Sequence, residues 1–243
     1  MANAKTMVEA MRSNESTFCR GLVSEGFLSR VQMEQAAERY RLGKSRFDWT
    51  VFWKIDSSGM LREGRAIYYD EHCRQDSELK PQLVSAVLKV QFAESMGKPA
   101  PPYPHAAFDR TMAECLSMVA RWEPEPCFFG EHLLAGADSQ TPVAIVARER
   151  TAVICSARFP DMIWLASAGI DLRQPRFFLP LRRRNIIIFP EAPAGRNAMS
   201  LWRSAAQKAS ELLRQPVPVS ERGIDVETLK TATTGGTEAA ESV

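Results

Sequence analysis

The chain has 243 residues, 45% of them hydrophobic and 25% charged, with a formal net charge of +2. Those proportions suit a globular protein with enough apolar material for a core, and they exclude a polycation, a low-complexity chain and a disulfide-stapled miniature. The five cysteines, Cys19, Cys73, Cys115, Cys127 and Cys155, are scattered and form no C-x-x-C pair. With only His72, His105 and His132 to join them, they predict buried thiols in a reducing compartment, not a zinc site. No apolar run reaches the ~18 residues of a membrane helix. The first residues lack the apolar stretch of a signal peptide. The sequence therefore reads as cytoplasmic, with no membrane partner.

In chain order, residues 1–13 read as frayed or weakly helical. From Glu15 to Tyr40 the pattern is helical, broken near Gly26. Ser29 followed by Gln32 has the form of a capping box, and the helix behind it should bury Met33, Ala36, Ala37 and Tyr40. The stretch "DWTVFWKIDSSGMLREGRAIYYD" alternates and is rich in aromatic and β-branched residues. With Asp56-Ser57-Ser58-Gly59 as its turn, it predicts a β-hairpin of 49–55 with 60–69. Trp49, Phe52, Trp53, Tyr68 and Tyr69 suit sheet packing, and any of them on a face turned away from the core would offer bases a stacking surface. "PQLVSAVLKVQF" fits a strand or a short helix, and "GKPAPPYPH" an exposed loop. "AFDRTMAECLSMVARW" fits a helix with Met112, Cys115, Leu116 and Val119 on one face.

After "EPEPCFFGEHLL" strands and helices alternate. Strands are expected at 142–147, 162–167, 185–190 and 217–220, and helices at 149–158 and 197–214. The second helix carries Trp202, Ala205, Ala206, Ala209, Leu212 and Leu213 at helical spacing. That order predicts an α/β fold, a parallel sheet flanked by helices. The implied organisation is an N-terminal α+β segment with the hairpin (1–126), an α/β domain (127–222) and a disordered acidic tail (223–243). Charge follows it. Between Cys127 and Gln215 twelve Arg/Lys face seven Asp/Glu, while from Pro216 onward two face five. The middle block favours an anionic partner and the tail repels one.

In an open parallel sheet, ligands gather at the carboxyl ends of the strands. The first expected strand runs into Arg148-Glu149-Arg150, and the third ends in Pro190-Glu191. Two carboxylates at neighbouring tips have the chemistry to hold one Mg²⁺ and support phosphoryl transfer. Equally, Glu149 suits the N-terminus of the following helix, or an ion pair with its arginines. Arg148 and Arg150 welcome a phosphate more readily than a cation. Arg182-Arg183-Arg184 precedes the third strand, at the amino end of the sheet, and suits either a nucleic-acid backbone or a solvated turn. Glu131 and His132 stand in a motif-like stretch, with packing or capping as the simpler role.

The series "VAIVARERTAV", "MIWLASAG" and "NIIIFPE" resembles a toprim (topoisomerase–primase) domain. Together with "TVFWKIDSSGMLREGRAIYYD" and "CFFGEHLL", it resembles an uncharacterised toprim-like family encoded on bacterial mobile elements and phages. The likeness runs from about Ala36 to Val219. It implies a Rossmann-type sheet and a context of DNA replication or transfer, with Mg²⁺ held by acids. In toprim enzymes a Glu at the first strand end acts in acid–base chemistry, and an Asp-x-Asp pair at a later strand end binds metal. Here Ala147 stands in place of the first Glu, and Glu149 matches the second acid of that motif. Glu191 replaces the first Asp and Pro193 the second. Alanine neither moves a proton nor binds a metal, and loss of a positioned acid or base costs roughly 10²–10⁴ in rate. The expectation is a catalytically degenerate toprim-like protein that binds nucleic acid, DNA before RNA, or a replication or mobilisation protein. The alternatives are an active Mg²⁺-dependent nucleotidyltransferase or nuclease using Glu149 and Glu191, and a protein-interaction module.

Overall fold

The computed structural model describes residues 4–95, 97, 125–192 and 196–230. The helix expected over 107–122, most of the proline-rich loop, Pro193 and residues 231–243 lie outside them.

Two short helices, α1 (Ala4–Ala10) and α2 (Thr17–Ser24), lead into α3 (Arg30–Arg39). Ser16 caps α2 through Cys19 N, and the Ser29–Gln32 capping box forms with both of its hydrogen bonds. Next comes an antiparallel sheet of β1 (Gly43–Lys44), β2 (Thr50–Ile55), β3 (Leu61–Ile67) and β4 (Gln82–Leu83). Asp56 builds the hairpin turn: its Oδ1 accepts from Ser58 N, Ser58 Oγ and Met60 N at 2.6–2.9 Å. Such an Asx-type turn fixes the register, with Phe52 opposite Arg65 and Trp53 opposite Gly64. A Cβ on Gly64 would come within 2.8 Å of Trp53 and Val84, so only glycine lets the indole lie flat across the sheet. The ambiguous "PQLVSAVLKVQF" resolves into β4 followed by α4 (Val84–Ser95). Glu63 accepts from Ser85 N and Oγ there, satisfying donors that a helix start leaves orphaned.

The second sheet is parallel, in the order β6-β5-β7: β5 (Val143–Val146) lies between β6 (Ile163–Ala166) and β7 (Ile186–Ile188). Helix α5 (Glu149–Arg158) connects β5 to β6, and α6 (Arg196–Leu213) follows β7. The two faces of β5 feed two cores. Val143 and Ile145 pack with Trp202, Ala205, Ala206 and Ala209 of α6. Ala144 and Val146 join a core that also takes Phe18, Leu22, Tyr40, Phe52, Phe129 and α5. The antiparallel and parallel sheets thus share one apolar interior. Tyr40 stitches them: its hydroxyl donates to Trp164 O at 2.7 Å, and its ring stacks on Phe129 at 4.9 Å.

Three expectations change. Four of the five hairpin aromatics offer no stacking surface, because Trp49, Phe52, Trp53 and Tyr69 are buried; Tyr68 is half-buried and packs beside Trp49. Residues of α1 and α4 cover the outer face of the hairpin, and the shared core covers the inner one. The strand expected at 217–220 shrinks to a single bridge between Ile188 and Val219, flanked by Pro216 and Pro218, which lack the N–H a ladder needs. Residues 223–230, assigned to the tail by sequence, are placed against the body. Ile224 pairs with Glu191, and Ile224, Val226 and Leu229 pack against the shared core.

Candidate functional site

Where β5 ends, Ala147 turns the chain into α5, and Glu149 is the first residue of that helix. Glu149 is 2% exposed, and its Oε1 accepts from Arg65 Nη1 at 2.6 Å. Arg65 reaches it because it lies opposite Phe52 in the hairpin, on the face turned to the shared core. Lys54, two residues along the strand from Phe52, shares that face. Its buried ammonium donates to Ala168 O, just past the tip of β6, at 2.7 Å. Burial pushes the Lys54 pKa down, and the negative charge of Glu149 works against that shift. The hairpin therefore roofs the strand tips and sets two cations beside one buried carboxylate.

Glu191, beyond β7, turns to the same helix start. Its Oε1 accepts from Thr151 Oγ1 at 2.6 Å and from Arg148 N at 3.1 Å, and its Oε2 pairs with Arg148 Nε at 3.2 Å. No side chain of the N-cap residue, Arg148, caps α5, so Glu191 does the work of a cap from a distance. Glu149 and Glu191 thus meet at one helix terminus, each with its own cationic partner.

Arg150 points elsewhere. Its guanidinium lies 4.8 Å from the centre of the Phe27 ring and donates to Glu227 at 2.7 Å. Glu131 is buried, and its two oxygens accept from Ser57 N and Phe128 N at 3.2 Å, tying the hairpin turn to the approach to the parallel sheet. Burial raises its pKa, and the two amide bonds oppose that. Gly130 makes the placement possible: at φ 86° a side chain there would be strained, and its Cβ would press on Tyr40 and on Trp164 O. His132 Nε2 lies 3.1 Å from Arg39 O, and burial lowers the imidazole pKa. Arg184 donates to Leu134 O at 2.8 Å and Asp138 O at 2.9 Å, closing off a 3₁₀ turn at Glu131–Gly136. Arg182 and Arg183 are exposed at the amino end of the sheet.

The toprim resemblance implies Mg²⁺, and the donor set does not fit it. Magnesium wants several oxygen ligands in near-octahedral array. Ala147 supplies no side-chain oxygen, and both carboxylates are already engaged by guanidinium groups. Among the described residues, no group of three His, Cys, Asp or Glu is placed to share a metal. The four described cysteines are all buried, and burial raises each thiol's pKa, Cys73 and Cys155 to about 12. None suits a nucleophile.

With that geometry in view, a family model, "Domain of unknown function (DUF6371)", matches residues 16–192. The chain belongs to the DUF6371 family. No functionally curated protein matches its sequence. Among solved structures, the E. coli primase catalytic core aligns over 92% of this chain and 72% of its own, with a TM-score of 0.54 and 12% identity. At that identity the likeness establishes the fold: a mixed α/β, toprim-like arrangement of a three-stranded parallel sheet flanked by helices, beside an antiparallel hairpin sheet. Among the described residues, no helix is long and apolar enough to cross a membrane.

In this DUF6371 chain Arg65 and Lys54 complete the site and escaped the sequence reading, as did Glu227, which draws Arg150 away from it. A signal existed for Lys54. Lys54 interrupts the apolar run "TVFWKI" in the alternation phase of Phe52, so the pattern already set a charge on the inward face. Nothing local announces that Glu227 meets Arg150, 77 residues away.

Proposed function

We propose that this protein is a catalytically degenerate toprim-like domain that binds nucleic acid, DNA before RNA, in the setting of mobile-element replication or mobilisation. The observation that carries the reading is the buried pair of Glu149 with Arg65, flanked by Lys54 and with Ala147 where an acid would act. A site of this kind has its negative charge matched by protein cations, leaving no demand for a divalent ion. The primase-type fold and the surplus of basic residues between Cys127 and Gln215 support a polyanionic partner over a metal-dependent reaction.

The test has two arms. Fluorescence anisotropy with labelled single-stranded and duplex DNA, over several salt concentrations, should give binding that weakens steeply with salt. Absence of binding at low salt overturns the nucleic-acid reading in favour of a protein-interaction module. In the second arm, primer synthesis and DNA cleavage are assayed with Mg²⁺. No activity is expected. Activity that disappears in Glu149→Gln and Glu191→Gln would establish an active nucleotidyltransferase or nuclease instead.

A further inference from the structure

We infer that the phosphate backbone of the nucleic acid is held at the amino end of the parallel sheet, opposite the strand tips, in a groove between the entry to β7 and the end of α6. This rests on the proposed nucleic-acid reading and adds where the contact lies. The groove has a volume of about 660 Å³ and is lined by Arg183, Arg184, Ile187, Gln215, Pro216 and Pro218, among others.

Three observations carry the placement. The first is free charge. Arg182, Arg183 and Arg214 are exposed, and none of their side chains has an ion pair or hydrogen bond among the described residues. At the other end of the sheet Arg65, Arg148 and Arg150 all pair with carboxylates. A guanidinium with no internal partner keeps its paired donors for a phosphate.

The second is construction. Gln215 joins the two arginine-bearing segments: its Oε1 accepts from Arg183 N at 2.7 Å and its Nε2 donates to Arg184 O at 2.8 Å. That clamp holds the loop before β7 against the end of α6, where Arg214 sits. Arg184, committed to the carbonyls of Leu134 and Asp138, anchors the loop from below. The neighbouring acids keep their charge but turn to neutral donors, Glu211 to Gln207 and Asp138 to Gln140 N, and neither forms an ion pair with a groove arginine among the described residues.

The third is backbone conformation. Arg183 and Arg214 both take left-handed φ, 65° and 54°. An arginine there is strained relative to a right-handed backbone, a strain glycine avoids. Arg183 lines the groove, and Arg214 immediately precedes Gln215 of its wall; each carries a guanidinium where glycine would be unstrained. The groove wall of Ile187, Pro216 and Pro218 offers an apolar surface beside the charges, suited to a sugar or a base edge. The combination of free cations and apolar wall matches a phosphodiester chain better than a lone phosphate ion.

The experiment compares full-length wild type with the Arg182→Gln/Arg183→Gly pair, with Arg214→Gly and with Arg148→Ala, using labelled DNA oligonucleotides between about 50 and about 200 mM salt. Glycine tolerates the left-handed backbone, so both groove variants keep the fold, checked by circular dichroism. The pair should bind about tenfold more weakly at low salt, and its salt slope should fall by about 0.7–0.9 for each arginine lost. Arg214→Gly should lose about half as much on a logarithmic scale, and Arg148→Ala less than either. Inorganic phosphate should fail to displace the DNA at matched ionic strength. Unchanged binding in the pair and in Arg214→Gly, beside a wild type that binds, overturns this placement and leaves the proposed function standing. A wild type that binds no DNA at low salt overturns both. Displacement by inorganic phosphate at matched ionic strength overturns the polymeric ligand.

Discussion

The two ends of the parallel sheet carry similar residues in opposite states. At the carboxyl end, Glu149 and Glu191 are both held by arginines, and a lysine and an arginine from the hairpin close over the tips. At the amino end, Arg182 and Arg183 reach solvent and form no ion pair among the described residues. The fold's usual ligand end has become a set of internal ion pairs, while unspent charge gathers at the end where ligands seldom bind. Position in a fold is therefore weaker evidence of function than the partners each charge has already taken.

The contrast breaks most readily at Arg65. Arg65→Met leaves Glu149 buried beside Lys54 alone, and should cost about 3–5 kcal/mol in urea unfolding. The triple variant Arg65→Met/Glu149→Leu/Lys54→Met should recover most of that loss, because the buried carboxylate and both cations that balance it are then gone. Loss equal to the single variant would show that Glu149 was not neutralised by this pair.

At the other end Arg184 is the structural member of its triplet. Arg184→Ala should cost about 1.5–3 kcal/mol, the value of charge-assisted bonds to carbonyls. The distant cap is weaker. Thr151→Val removes one donor to Glu191 and should cost about 1 kcal/mol, seen as a lower urea midpoint.

A pH titration sharpens the comparison further. Glu131 has a folded pKa above its ordinary value. Between those two values the folded state holds more protons than the unfolded one, so this group removes stability as pH rises through the window. Relative to wild type, Glu131→Gln should therefore gain stability as pH climbs from the ordinary carboxylate range upward, measured as urea midpoints against pH. The smallest effect is expected where charge is free: Arg182→Gln should leave stability within about 0.5 kcal/mol of wild type.

Much of the frame was legible because local signals agreed. The hairpin came from alternation meeting an Asp-Ser-Ser-Gly turn, and α5 fell on 149–158 because a buried strand ran straight into a helix-period segment. The Ser29–Gln32 box formed as read because capping depends on neighbours three residues apart. What escaped was long-range. Burial of the hairpin's outer face depends on α1 and α4, which no property of Trp53 reveals. The separation of Arg150 from Arg148 depends on Glu227 and Phe27, brought in from far along the chain. The motif placed the acids; only the fold decided which cations would reach them.

The most direct measurement is a Mn²⁺ titration of the full-length protein followed by electron paramagnetic resonance, with Glu149→Gln and Glu191→Gln alongside. If guanidinium and ammonium groups already balance the strand-tip carboxylates, wild type and both variants will show the same weak, unsaturable uptake. A stoichiometric Mn²⁺ site in the wild type that vanishes in both variants would contradict the account.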